Sequence, residues 1–174
     1  LGMSPSVGRL LIERKDQPEQ GSYGGLIQTG FWVTATQAGL LLIAGLVLAQ
    51  PLADLFSIPP ELQQTFRALV RWQALITAGM FGTRVFRNLL YAHQRNDWIN
   101  YSQAASAFVG LGTLWVALRW RGNVQSILWA NGAALAFTVV AQGWCCLRLR
   151  LFPRPEAWGR ASWQEFKAVF SYGK

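Results

Sequence analysis

Three stretches of this chain, Phe31 to Gln50, Trp98 to Leu118 and Val124 to Leu147, contain no Asp, Glu, Lys or Arg. At a rise of 1.5 Å per residue, a helix of about 20 residues matches the roughly 30 Å hydrocarbon core of a bilayer. Lipid offers the backbone no hydrogen-bonding partner, so such runs cross it as helices whose polar groups are satisfied internally. Each is a transmembrane candidate, and together they constrain the fold more than any other feature.

A fourth apolar segment, "TFRALVRWQALITAGMFGTRVFRNLL" over residues 65 to 90, carries Arg67 and Arg71 near one end and Arg84 and Arg87 near the other. Arg67 and Arg87 are about 30 Å apart along a helix, so their charges reach opposite faces. Arg71 and Arg84 are closer, about 20 Å, so their heads must snorkel outward or face a watery cavity.

Composition agrees with a membrane setting. Hydrophobic residues make up 52% of the chain and charged residues 14%, against about a quarter charged in an average soluble domain. The net charge of +8 does not mark a nucleic-acid binder, because the basic residues fall at the ends of apolar runs. The side holding the N-terminal segment, the turn "HQRND" and the C-terminal tail has twelve Lys and Arg residues; the opposite side has four, Arg67, Arg71, Arg119 and Arg121. The positive-inside rule places the twelve in the cytoplasm. Trp32, Trp98, Trp120 and Trp144 fall at expected span ends, where amphipathic rings favour the headgroup layer.

The expected fold is all-α, a polytopic transmembrane helix bundle. Residues 1–29 form the end of a preceding helix and a cytoplasmic loop around "ERKDQPEQ" and "GSYGG". Residues 30–149 form four spans, at about 30–56, 61–92, 97–120 and 124–149, with Pro51 kinking the first. Residues 150–174 form a cytoplasmic amphipathic segment leading to a further helix. There Ser162 and Glu165 have capping-box spacing, and Trp163, Phe166, Val169 and Phe170 share a face. The chain has no initiator Met and no signal-peptide pattern, and is expected to be a fragment of a longer protein.

No catalytic or metal constellation is visible. His93 is the single histidine and is expected to be a solvated turn residue. The carboxylates lie at span ends or in loops, and no cofactor or metal is expected. Cys145 and Cys146 are adjacent, too close for an unstrained disulfide, and read as small lipid-facing or packing residues. Ser106 and Gly110, and Gly132 and Ala136, are four apart and allow close approach of helices. Arg67 and Arg71 share a helix face, and two guanidiniums held partly out of water suit phosphate oxygens; the alternative is that they snorkel to headgroups. Arg84, Arg87 and Arg95 are expected to anchor the cytoplasmic edge.

The stretch "LFSIPPELQQTFRALVRWQALITAGMFGTRVFRNLLYAHQRNDWINY" resembles the third-to-fifth helix region of polysaccharide biosynthesis membrane proteins, the O-antigen type lipid-linked oligosaccharide flippases of the multidrug/oligosaccharidyl-lipid/polysaccharide exporter superfamily. "LGMSPSVGRLLIE" looks like the end of that family's second helix, and "EFKAVFSYGK" the lead-in to its seventh. The resemblance implies most of one lobe of a two-lobe inner-membrane transporter. It implies no covalent chemistry, but flipping of an undecaprenyl pyrophosphate-linked oligosaccharide by alternating access. Membrane lipids and the remaining half of the full-length chain would be the partners, with no nucleic acid, and Arg67 and Arg71 the candidate phosphate contacts. Two rivals stand beside it. A drug or cation antiporter of the same superfamily would be expected to need a membrane-embedded carboxylate, and a membrane-embedded glycan polymerase a large outer loop; "SIPPEL" and "RGN" are short.

Overall fold

The computed structural model describes residues 3–14, 22–153, 158–159 and 163–172. Among them the structure is all-helical, with α1 at Met3–Arg14, α2 at Ser22–Leu55, α3 at Pro60–Gly82, α4 at Arg84–Ala92, α5 at Asn96–Arg121, α6 at Gln125–Arg148 and α7 at Trp163–Tyr172. Short turns join α2 to α3 and α5 to α6. Each pair packs along its length as an antiparallel hairpin, whereas between the hairpins contact is sparse and runs chiefly from α3 to α6.

The hairpins are joined at one end. Val7, Leu10 and Leu11 of α1, Tyr23, Leu26 and Ile27 of α2, Val85, Leu89, Leu90 and Ala92 of α4, Ile99 of α5 and Cys145 and Cys146 of α6 form one buried apolar cluster there. The N-terminal helix, α4 and the segment after α6 therefore share an end, the grouping on which the charge count relied. Beyond the cluster the helices expose large apolar residues, among them Leu40, Ile43 and Val47 on α2, Phe108, Leu111 and Trp115 on α5, and Val140 and Trp144 on α6.

Two helices are long and apolar enough to cross a membrane, α2 over Tyr23–Leu55 and α6 over Gln125–Arg148, and only 11% and 22% of their most apolar windows are buried. Four spans were expected. The other two, α3 with 23 residues and α5 with 26, reach roughly 35 and 39 Å, but their polar groups dilute their hydropathy. Those groups include Arg67, Arg71 and Gln73 on α3 and Asn100 and Gln103 on α5. Gln73 and Gln103 line a cavity, described below.

Several boundaries differ from the sequence reading, each for a local reason. α2 runs through Pro51 to Leu55, close to the expected end at 56. It begins at Ser22, ahead of the expected Gly30, so "YGG" is helical and not loop. Its glycines serve packing: the α-carbon of Gly24 lies against the Trp158 backbone, leaving no room for a side chain. The expected helix 61–92 is two helices, broken at Thr83 with φ −94° and ψ 0°. Thr83 Oγ1 donates to the Gly79 carbonyl at 2.8 Å, the back-bonding by which threonine bends a helix. At the other end Pro59 and Pro60 open α3, with Pro60 in the first helical position, and Gly122 ends α5 at φ 58°.

Of the small residues singled out, Gly110 sits 3.4 Å, measured from where a Cβ would stand, from Ala134 Cβ on α6, while Gly132 has open space around it. Cys145 and Cys146 are both buried free thiols. His93 is not a free turn residue: its Nε2 lies 2.9 Å from the Tyr23 hydroxyl and ties the start of α2 to the end of α4. The Ser162 half of the expected capping box lies outside the described residues. In α7, Trp163 and Phe166 stack at 4.9 Å, and Trp163 and Phe170 are exposed.

Candidate functional site

Because the hairpins meet closely only at one end, a cleft runs between α3 and α4 on one side and α5 and α6 on the other. Its inner part, next to the buried cluster, is a cavity of about 480 Å³. Gln73, Ile76, Met80 and Thr83 of α3, Arg84 and Arg87 of α4, Gln103 and Ser106 of α5, and Asn131, Ala134, Leu135, Thr138 and Gln142 of α6 line it. A second cavity of about 440 Å³ continues toward the opposite end, with Ile76 on the wall of both. Its walls are mainly apolar, including Leu69, Trp72, Leu128 and Trp129, and carry no charge.

The bend at Thr83 brings the arginines in. Arg84 and Arg87 follow it directly, and the buried faces of Val85, Leu89 and Leu90 fix the roll of α4. Arg84 is half-buried, its guanidinium 3.7 Å above the centre of the Phe81 ring. A cation held on a ring face keeps its N–H edges free for another partner. Arg87 is exposed. No Asp or Glu lines the cavity, and neither arginine has a carboxylate partner among the described residues.

On α6, Asn131, Thr138 and Gln142 recur at intervals of seven and four residues and so form one stripe. Gln142 is buried and its Nε2 donates to Ser102 Oγ at 3.1 Å, linking α6 to α5. The site therefore presents two unneutralised cations and several neutral amide and hydroxyl groups. It suits an anion that also carries hydrogen-bonding groups, and offers neither a paired acid and base nor a nucleophile beside a base. Among the described residues no group of His, Cys, Asp and Glu could hold a metal ion.

The arginines singled out in the sequence separate into two places. Arg67 is half-buried near the opposite end of α3, with Nη2 2.6 Å from Gln63 Oε1 and Nε buried without a hydrogen bond. Arg71 is exposed. Neither lines the polar cavity or its apolar continuation. Arg95 is exposed in the turn between α4 and α5. The amides on α5 and α6 went unremarked in the sequence; their signal was the polar residue recurring on one face of otherwise apolar helices.

No family model, no curated protein and no solved structure matches the chain.

Proposed function

We propose that the chain is part of a multi-pass membrane transporter that moves a lipid-linked oligosaccharide, with its diphosphate at Arg84 and Arg87 and its lipid chain directed along the apolar part of the cleft. The observation that carries this reading is the cationic, carboxylate-free cavity opening into an uncharged groove, between helices whose outer faces are apolar. Guanidiniums recognise phosphate oxygens through paired donors. A soluble protein does not leave apolar surface of this extent in water, and a core helix would be mostly buried where α2 and α6 are mostly exposed. The sequence resemblance to polysaccharide flippases points the same way, as does the positive charge gathered at the end that carries α1 and α4. On this reading that end is cytoplasmic, the membrane is the inner membrane, and the two hairpins are most of one lobe.

A cation antiporter is the less favoured reading, since the cavity holds arginines and no acid. Equilibrium binding to the 174-residue chain in lipid nanodiscs separates the two. A polyprenyl diphosphate-linked oligosaccharide is expected to bind saturably, and more weakly as salt rises, whereas tetraphenylphosphonium is not. Saturable binding of the cation alone would replace this reading with the antiporter.

A further inference from the structure

The least solvent-accessible amide of the cavity wall is held in a defined orientation. Gln142 is 5% exposed, and its Nε2 is 3.1 Å from Ser102 Oγ, which is itself 2.9 Å from the Ile99 carbonyl oxygen. A serine hydroxyl has one proton, and a carbonyl can only accept. The Ser102 proton therefore goes to Ile99, and Ser102 offers only lone pairs to Gln142. Gln142 must turn its amino group to Ser102, which fixes the amide against the flipped alternative. Its Oε1 takes no hydrogen bond from the described residues.

An oriented acceptor on the wall of a cationic cavity serves no phosphate, because phosphate oxygens at neutral pH are themselves acceptors. It takes an O–H or N–H. A ligand that satisfies Arg84 and Arg87 together with Gln142 therefore has an anionic group and, within the same 480 Å³, a hydrogen-bond donor. Asn131 and Thr138 on the same stripe and Gln103 opposite add neutral groups of the kind that match a polyol.

We propose that Gln142 reads a hydroxyl or amide N–H of the sugar attached to the phosphate, making it a specificity residue of the cavity; this rests on the reading of that cavity as a lipid diphosphate site. A residue that only joins α5 to α6 would affect every ligand alike. A sugar-reading residue affects only ligands that carry the sugar.

The test uses the chain in nanodiscs with two probes, a polyprenyl diphosphate and the same lipid carrying one hexose. The unsubstituted chain is expected to bind the hexose-bearing lipid about tenfold tighter, the usual scale of one added hydrogen bond. Gln142→Leu and Gln142→Met are each expected to remove most of that preference while leaving sugar-free binding within about twofold. Ser102→Ala keeps the amide but frees it to turn, and is expected to lose part of the preference. Sugar preference retained in both Gln142 variants, or equal loss of both ligands in both, overturns the proposal while leaving the diphosphate site standing. Absence of binding of either lipid to the unsubstituted chain overturns the site and the proposal together.

Discussion

Replacing Arg84 and Arg87 together by alanine is expected to weaken binding of a polyprenyl diphosphate by at least about 100-fold. A hydrogen bond to a charged group contributes about 1.5–3 kcal/mol, and each 1.4 kcal/mol is a factor of ten. The cavity has no other cation among its lining residues to take over. Lysine at both positions is expected to restore part of the loss, because an ammonium supplies the charge without the paired donors. Neither arginine belongs to the buried cluster, so the thermal midpoint of the double variant should stay near that of the unsubstituted chain. Arg67→Ala and Arg71→Ala serve as the comparison, since those side chains lie away from both parts of the cleft. A double alanine variant that binds as before would remove Arg84 and Arg87 from the site, and loss with Arg67→Ala and Arg71→Ala instead would move the phosphate to the other end of α3.

Gly45→Ala is expected to destabilise the chain by about 1–3 kcal/mol, the range for forcing atoms into a packed contact. The added Cβ would overlap Ala74 Cβ where α2 crosses α3, and neither is the movable tip of a long side chain. The hairpin must spread, and with it one wall of the cleft. The double variant Gly45→Ala with Ala74→Gly is expected to recover most of the loss. Gly39 in the same helix has nothing within 4 Å of its would-be Cβ, so Gly39→Ala should instead stabilise by about 0.5–1 kcal/mol through helix propensity. Thermal unfolding in one detergent checks all three. Equal effects at Gly39 and Gly45 would mean that the α2–α3 contact is not as close as described.

What the sequence disclosed and what it concealed follow from the range of the interactions involved. The apolar runs on α2 and α6 are local patterns, so those helices were legible. The break at Thr83 was not. It depends on a side-chain hydroxyl bonding a carbonyl one turn back, and hydropathy runs straight through it. That break decides which arginines meet the cleft, because a helical wheel drawn over residues 61–92 assumes one axis. Gly24, beside Tyr23, read as loop because its packing partner, Trp158, is distant in sequence. His93 read as solvated for the same reason, its partner Tyr23 being 70 residues away. Hydropathy also counted Gln73 and Gln103 only as polar dilution of their spans, whereas in three dimensions they face one cavity.

The central claim, that an anionic lipid-linked glycan sits in the cleft between the hairpins, is tested most directly by covalent capture at defined positions. A benzophenone side chain is placed in place of Asn131, on the cavity wall, or in place of Phe108, which is 76% exposed on α5. The chain in membranes is illuminated with a radiolabelled polyprenyl diphosphate-linked oligosaccharide. Labelling at position 131 that unlabelled ligand abolishes, with only non-competed background at position 108, is the predicted result. Competed labelling at 108 with none at 131 would place the ligand on the outer surface of the helices and contradict the account.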